Sequence, residues 1–390
     1  MKVIPEVAAT DETLRRLRQR IHAHPELAYE EHLTSALVAD SLRSWGIEVH
    51  CGIGGTGVVG VVRAGTSSRM IALRADMDAL PIVEANTFEH RSRVPGVMHA
   101  CGHDGHTAML LGAAEYLAAT RAFDGSVVLI FQPAEEGKGG AAAMIADGLF
   151  ERFPVQAIFG LHNWPGMEAG RFGIAPGPVM ASADRFDIVV SGDGAHAAMP
   201  HQGTDTILAG AQLVSALQRV TARGIDPLDS AVLSVTSFRG GDAYNVMPAR
   251  VDLCGTVRAL SHTTRDFVIA SVHKICDGIA HANDVQIDLS WRGGYYPATV
   301  NTFREAEICR RAAESVVGAP GVEWAPPPSM GSEDFSFFLA HKPGCYVWLG
   351  NGPTQGGCVL HNPAYDFNDE LLTIGASYWV RLAESLLNKV

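Results

Sequence analysis

Apolar and polar positions follow one pattern in the N-terminal part of the chain and again near the C-terminus. Short runs of consecutive apolar residues alternate there with longer stretches of helical spacing, which is typical of buried parallel strands connected by helices and predicts an α/β fold. The predicted strands cover residues 58–62, 70–73, 127–131, 157–161 and 345–349. The predicted helices cover 11–45 with a break at His24-Pro25, 104–119 with Asp104 as the N-cap, 301–317, and a C-terminal segment from about residue 369.

A different pattern begins near residue 183. The segment 185–190 alternates polar and apolar residues, as a half-exposed strand does. Predicted strands (185–190, 231–238, 250–257, 285–291) and helices (205–222, 263–282) then follow in β-α-β-β-α-β order, the order of a ferredoxin-like module. We therefore predict an α/β domain with a mostly parallel central sheet, formed by 1–182 and 295–390. A smaller α+β domain, 183–294, interrupts it.

Composition narrows the class of protein. A chain of 390 residues with 47% hydrophobic and 18% charged residues fits a globular enzyme of two domains. The net charge of -12 and the lack of any Lys/Arg block argue against a nucleic-acid partner.

No apolar run reaches the roughly 18 residues that span a bilayer, and the N-terminus lacks an apolar signal core, so we expect a cytoplasmic protein without a membrane partner. Seven scattered cysteines argue against a disulfide framework.

The densest group of chemically active side chains lies in the segment 99–106. Three His, one Cys and one Asp fall within its eight residues, just before a predicted helix. Thiolate and imidazole bind borderline-soft divalent metals, and Gly102 can turn the backbone so that Cys101 and His103 converge on one ion. The alternative is a set of hydrogen-bonded loop histidines.

Two adjacent glutamates, Glu135 and Glu136, directly follow a predicted strand. Like charges at such a position are costly unless a positive charge neutralises them. A metal ion would do so, with one carboxylate as ligand and its neighbour as general base. The alternative is an exposed acidic loop.

Single polar residues follow other predicted strands. His162 and the pair Asp76 and Asp78 come after strands, and His361 lies near the C-terminus. Because ligands bind outside the carboxyl ends of strands in open α/β sheets, the segments 101–103, 135–136 and 162 are expected to meet at one edge. The alternative for His162 and His361 is a core or cap residue. Asp76 or Asp78 could orient a metal-bound histidine or cap the next segment. His196 in the interrupting domain is either a hydrogen-bond donor to a substrate or a solvated loop residue.

The glycines of 52–57 match the spacing of a dinucleotide-binding fingerprint. That fingerprint requires a helix after the glycines, and the valine-rich sequence that follows is strand-like. We therefore interpret the segment as a glycine-rich turn. The sequence contains no HExxH pair, no Walker A loop and no GxSxG nucleophile elbow.

Taken together, the motifs resemble the hippurate hydrolase / N-acyl-amino-acid amidohydrolase family, which includes plant auxin-conjugate hydrolases and relatives of aminoacylase and carboxypeptidase. The matching segments run in family order from about residue 12 to 385: RADMDALP, MHACGHDGHTAMLLGAA, FQPAEEG, GLHNWP, GAHAAMPHQGTD, NVMPA, GTVR, GSEDFSFF and LHNPAYDFND. The first of these, RADMDALP, contains Asp76 and Asp78 and matches the segment that supports the metal ligands in that family.

The resemblance implies two divalent metal ions, with Zn, Mn, Co and Ni all compatible with the ligand types. It implies that Cys101 bridges the ions, that His103 and His162 complete one site, and that Glu136 and His361 complete the other.

The resemblance also implies roles in catalysis and substrate binding. Glu135 matches the general base. His196 matches a lid histidine that holds the scissile carbonyl and often comes from a partner subunit, and Asn245 and Arg258 match residues that grip the substrate carboxylate. The interrupting domain would then be a lid that dimerises, in a homodimer or a dimer-based tetramer.

The predicted function is hydrolysis of the amide bond of a small N-acylated amino acid. A dipeptidase or an N-acetyl-diaminopimelate-type deacetylase with the same metal site is the first alternative. A non-catalytic metal-binding protein is a more remote one.

Overall fold

The computed structural model describes residues 2–389, which form two compact units. The first unit comprises 2–177, 300–327 and 334–389, and the second comprises 178–299 and 328–333. The segment 328–333, assigned from sequence to the α/β domain, lies in the second unit. It does so because Ala181 N donates hydrogen bonds to Ser329 O and Gly331 O.

The elements alternate along the chain as follows. The helices are α1 Pro5–Ala8, α2 Asp11–Ala23, α3 His32–Ser44, α4 His103–Thr120, α5 Glu135–Lys138, α6 Gly140–Ala146, α7 Leu149–Arg152, α8 Thr206–Arg219, α9 His262–Asn283, α10 Phe303–Val317, α11 Phe335–His341 and α12 Leu372–Leu386. The strands are β1 Glu48–Ile53, β2 Gly57–Ala64, β3 Met70–Asp76, β4 Gly125–Gln132, β5 Ala157–Pro165, β6 Phe172–Ile174, β7 Gly177–Met180, β8 Ala183–Ser191, β9 Ala195–His196, β10 Ala231–Arg239, β11 Val246–Met247, β12 Arg250–Ala259, β13 Gln286–Tyr296, β14 Thr299–Asn301, β15 Val322–Trp324 and β16 Gly344–Gly352.

An eight-stranded sheet in the order β1-β2-β4-β3-β5-β16-β6-β15 organises the first unit. Its central strands β4, β3, β5 and β16 are mutually parallel. Their middle residues are buried and apolar, as the consecutive apolar runs predicted, and polar residues lie towards the strand ends. The mixed α/β fold with a mostly parallel sheet is therefore confirmed.

The glycines of 52–57 form the turn of an antiparallel hairpin between β1 and β2. No helix follows them, so the interpretation as a glycine-rich turn is confirmed. Gly57 also leaves no room for a side chain, because a Cβ there would lie 2.2 Å from Ile53 O.

Helix α4 lies in the core of the first unit, packed with α2, α12 and strand β3. It begins at His103, and Gly102 occupies the N-cap position in the left-handed conformation. The prediction that Asp104 caps the helix is wrong. Asp104 lies in the first turn, and its side chain accepts a hydrogen bond from the buried Arg18 instead.

The second unit contains a four-stranded antiparallel sheet in the order β10-β12-β8-β13. Helices α8 and α9 pack together against it, and α8 continues into one π-helical turn, Val220–Gly224. This is the β-α-β-β-α-β arrangement expected from the sequence. The unit has its own apolar core, made by residues such as Ile188, Leu213 and Val272.

All seven cysteines lie in the described part of the chain and are free. Within residues 2–389, no helix combines the length and the apolarity needed to cross a membrane.

Candidate metal centre

The parallel strands β4, β3 and β5 carry polar residues to the same edge of the sheet. Asp76 ends β3 and pairs in register with Gln132 at the end of β4. His162 lies near the end of the neighbouring strand β5. The candidate ligands predicted from the sequence are expected at this edge, outside the carboxyl ends of the strands.

The turn Cys101–His103 depends on glycine. Gly102 has φ +95°, and a Cβ at this position would lie 2.2 Å from Asn163 Oδ1 and 2.6 Å from the Tyr365 hydroxyl. Only glycine therefore fits, and the tight turn lets Cys101 and His103 face the same point.

The five predicted ligands come together around one sulfur atom. Ligand atoms of Cys101, His103 and His162 lie within 4.8 Å of one another, and so do those of Cys101, Glu136 and His361. The sulfur of Cys101 is 3.4 Å from His162 Nε2. The geometry is therefore two groups of three that share Cys101.

Asp78 controls the orientation of His103. The Nδ1 atom of His103 lies 2.9 Å from the backbone oxygen of Asp78 and 3.2 Å from its Oδ1, so Nδ1–H is the donor and Nε2 is the ring atom left for a metal. This Nε2 is buried and has no hydrogen-bond partner within residues 2–389. A buried, unpartnered nitrogen among carboxylates is suited to a cation.

The two glutamates are held by a strained turn after β4. Ala134 adopts a left-handed φ of +55°, and its N–H donates to Glu31 Oε1 at 2.8 Å. This turn buries the Glu135 carboxylate, which accepts a hydrogen bond from Asp334 N at 3.3 Å. Carboxylate oxygens of Glu135 and Glu136 lie within 4.8 Å of a His103 nitrogen and of one another.

His361 reaches the cluster from the C-terminal part of the first unit. Its φ is +62°, an uncommon conformation for histidine, and its N–H donates to Ala100 O at 2.7 Å. Its Nε2 lies 3.2 Å from Glu136 Oε1, and its side chain is 54% exposed. The centre is therefore open to solvent on the His361 side.

The pKa values of the clustered side chains also indicate a site for a cation. Burial lowers the pKa of His103, but the carboxylates of Asp76, Asp78 and Glu136 outweigh it and raise the pKa to about 10. Burial, together with the glutamate charges, raises the pKa of the Cys101 thiol well above its ordinary value. Excess negative charge here retains protons on the ligand atoms, and a divalent cation would replace those protons. Sulfur, imidazole and carboxylate form a donor set that fits such an ion.

The two other histidines of the loop belong to neither of the two groups that share Cys101. His106 is held by Asp76 Oδ1 at 2.6 Å and Asn163 Oδ1 at 2.8 Å, so both ring nitrogens are occupied. His99 is buried, and burial lowers its pKa to about 3. The Asp76 carboxylate therefore binds His106 through Oδ1, and its Oδ2 lies 3.6 Å from His103 Nε2.

Arg18 is a contributor that the sequence reasoning missed. It is fully buried, donates from Nε to Asp104 Oδ2 at 2.7 Å, and also hydrogen-bonds Asp366. Burial opposes ionisation of Asp104, but the guanidinium holds the pKa of this carboxyl well below its ordinary range. The ion pairs tie α2 to the start of α4 and to the segment after His361. No local motif signals this link.

The other predicted site residues belong to the second unit. His196 is exposed on β9, opposite Val246 of β11, and Asn245 precedes that strand with its backbone oxygen bonded to Ala197 N. Arg258 on β12 is half-buried and donates to Ser332 Oγ at 3.0 Å. Burial, with the charge of Arg185, lowers its pKa.

A buried thiol within 4.8 Å of imidazole and carboxylate ligand atoms, at the carboxyl edge of parallel strands, is suited to bind divalent cations. The comparison with known families agrees. The chain belongs to peptidase family M20/M25/M40, whose sequence profile matches residues 72–385.

Similar proteins cover almost the whole chain. Hippurate hydrolase of Campylobacter jejuni is 43% identical, covering 98% of this chain and 99% of the relative. N-acetyl-L-cysteine deacetylase of Bacillus subtilis is 38% identical, covering 93% and 85%. A crystal structure of a dinuclear metal-binding M20 peptidase from Bacillus subtilis superimposes with a TM-score of 0.86 at 34% identity, covering 98% and 99%. Both the sequence and the fold are thus similar to those of metal-dependent hydrolases.

Proposed function

We propose that this protein hydrolyses the amide bond of a small N-acyl amino acid and releases a carboxylic acid and a free amino acid. The observation that carries the proposal is the pair of ligand groups sharing the Cys101 sulfur, with the buried Glu135 carboxylate beside them. Two curated relatives, a hippurate hydrolase and an N-acetyl-L-cysteine deacetylase, bear names that describe this type of reaction.

Two divalent cations would be held by the five ligands. Cys101 would bridge them, with His103 and His162 on one ion and Glu136 and His361 on the other. Zn, Mn, Co and Ni all suit this mixture of sulfur, nitrogen and oxygen donors. When bound, the cations would supply the positive charge that polarises the amide carbonyl and makes a water molecule acidic.

Glu135 is the proton carrier in the proposed mechanism. Its buried carboxylate accepts a proton from the attacking water as the water oxygen bonds to the amide carbon. When the carbon–nitrogen bond breaks, Glu135 returns the proton to the nitrogen of the leaving amino acid. The hydrogen bond from Asp334 N to Oε1 fixes the orientation of the carboxylate for this transfer.

Residues of the second unit would bind the rest of the substrate. Arg258 makes no ion pair with any carboxylate in residues 2–389, so its guanidinium is available for the substrate carboxylate, together with Asn245. His196 would donate a hydrogen bond to the scissile carbonyl oxygen. We propose that it does so from a partner subunit of a homodimer or a dimer-based tetramer, since it is exposed on its own unit.

The test is Glu135→Gln, which removes the proton acceptor and keeps the shape of the side chain. We expect turnover to fall about 100-fold or more, the usual scale for general acid–base catalysis, with the metal content unchanged. Steady-state kinetics on N-benzoylglycine and metal analysis of the same sample measure both effects. Glu30→Gln, at an exposed glutamate of the first unit, is the control. Near-normal turnover of Glu135→Gln would remove this residue from the mechanism.

A substrate panel separates the alternatives. N-benzoyl, N-acetyl and dipeptide substrates distinguish an N-acyl-amino-acid hydrolase from a dipeptidase or an N-acetyl-diaminopimelate-type deacetylase. Hydrolysis of none of them after metal reconstitution would favour a non-catalytic metal-binding protein. We also propose a cytoplasmic location, because seven free cysteines suit a reducing compartment.

A further inference from the structure

A groove in the second unit lies between α8, its π-helical turn and α9, and none of the proposed catalytic residues lines it. Its volume is about 630 Å³, within the range of small-molecule pockets. The apolar part of its lining includes Phe267, Ile275 and Ile279, and Phe267 is 43% exposed. A large aromatic side chain exposed over an apolar groove is a feature of binding surfaces.

Three cations line the same groove. Arg219, Arg223 and Lys274 are all exposed, and none forms an ion pair with a carboxylate in residues 2–389. No acidic residue is part of the lining. In a chain with a net charge of -12, three unpaired cations around one apolar groove form a local positive field that favours an anion.

Gly278 is the third feature. It lies in the interior of α9, where glycine is a poor helix former, yet a Cβ at this position would meet no atom within 4 Å. Packing within the second unit therefore does not require glycine here. The absence of a side chain at Gly278 keeps the groove open along α9 and leaves space for a ligand.

We propose that this groove binds a free medium-chain monocarboxylate, with the alkyl chain along Phe267, Ile275 and Ile279 and the carboxylate at Arg219, Arg223 and Lys274. The match of an apolar floor with a cationic rim carries the assignment. A symmetric contact with a second copy is less favourable, because a two-fold axis through the groove would bring the three cations towards their own equivalents. The site lies wholly in the second unit and does not depend on the proposed catalytic function.

The experiment is isothermal titration of the full-length chain with decanoate below its micellar concentration. We expect one saturable groove site per chain. The triple variant Arg219→Gln/Arg223→Gln/Lys274→Gln should bind about tenfold more weakly or worse, the scale of losing charged hydrogen bonds. Gly278→Leu should block the groove by filling it. This variant is expected to fold, because the space beside Gly278 is open and leucine is a good helix former.

Matched controls keep the result specific. Gly278→Ala and Arg304→Gln, an exposed arginine of the first unit, should bind decanoate as the unmodified chain does. Butyrate and decyltrimethylammonium should bind much more weakly, since one lacks the tail and the other the negative charge. Circular dichroism melts confirm that each variant is folded.

Three outcomes would overturn the assignment. The first is decanoate binding that is absent, or unchanged in both the triple variant and Gly278→Leu. The second is cosedimentation with phosphatidylglycerol vesicles that depends on the same cations while decanoate does not bind, which would make the groove a membrane contact. The third is a change in sedimentation coefficient caused by the triple variant, which would assign the groove to a second copy.

Discussion

Asp78 shows how one carboxylate can position two candidate ligands at the scale of single residues. Its Oδ1 and backbone oxygen accept from His103, and its Oδ2 accepts from Glu136 N at 2.9 Å. His103 begins α4 and Glu136 lies in α5, so one side chain contacts two candidate ligands that are distant in the sequence. The predicted role of Asp78 in orienting a metal-bound histidine is compatible with these contacts, whereas Asp76 is engaged mainly by His106 and Arg74.

Metal uptake should depend on pH through His103 and Cys101. Both groups have raised pKa values without metal, about 10 for His103, so both carry protons near neutrality that a metal must displace. The apparent affinity should therefore rise with pH, by about tenfold per pH unit for each proton released. Calorimetry in buffers of different ionisation enthalpy counts those protons. An affinity that stays flat between about pH 6.5 and 8.5 would contradict the protonation states described above.

Substrate recognition by Arg258 can be tested at the same scale. Arg258→Ala should reduce kcat/KM on N-acyl amino acids by about tenfold or more, the scale of a lost charge-assisted hydrogen bond, and have little effect on a carboxyl-blocked amide. Arg250→Ala on the same strand is the control, because Arg250 pairs with Asp252 at the surface. Equal losses on both substrates would exclude a carboxylate clamp.

At the scale of elements, the turn before α4 does the most to bring the candidate ligands together. Gly102 replaces a side-chain cap at the start of the helix, and the turn it makes brings Cys101 and His103 towards the same point. The glycine is enclosed by Asn163 and Tyr365, which come from two other parts of the first unit. The turn is therefore rigid, and any added atom must displace these neighbours.

Two glycine substitutions separate backbone strain from steric conflict. Gly96→Ala has a left-handed φ of +81° but nothing within 4 Å of the new Cβ, so it should cost about 1–2 kcal/mol. Gly102→Ala has similar strain and also overlaps Asn163 and Tyr365, and should cost about 2–5 kcal/mol in total. Urea unfolding measures both free energies. Equal costs would mean that the neighbours move aside freely.

The elements themselves were largely predictable because apolar spacing is a local signal. Runs such as 127–131 and the alternation at 185–190 identified β4 and β8 correctly. The start of α4 was wrong because Asp104, a common N-cap residue, is engaged by Arg18, which lies 86 positions earlier. Arg18 itself and the Glu31 support of the Ala134 turn were missed for the same reason, since tertiary partners leave no spacing in the sequence. The clustering of the five candidate ligands was indicated mainly by family resemblance, and their individual roles remain predictions.

At the scale of the whole molecule, the two units carry different parts of the proposed chemistry. All five candidate ligands and Glu135 lie in the first unit, and His196, Asn245 and Arg258 lie in the second. Each unit has its own hydrophobic core. Metal binding should therefore stabilise mainly the first unit.

Hydrogen exchange can resolve this difference. Added metal at about 100 times its dissociation constant stabilises the binding unit by about 2.7 kcal/mol. Amides of α4 and of the turn around Ala134 should gain protection, whereas those of β8, β12 and α9 should not. Mass spectrometry of chelated and reloaded protein measures both regions in one sample. Equal protection of β12 would show that the units respond as one.

The interruption of the first unit by the second also affects how the protein is made. Four of the candidate ligands, the last being His162, emerge from the ribosome before the inserted unit, and His361 emerges only after it. A nascent chain thus presents an incomplete chelator throughout synthesis of the insert, and the second group of three can close only after the insert has been made. Metal loading with the full ligand set consequently follows synthesis of the second unit.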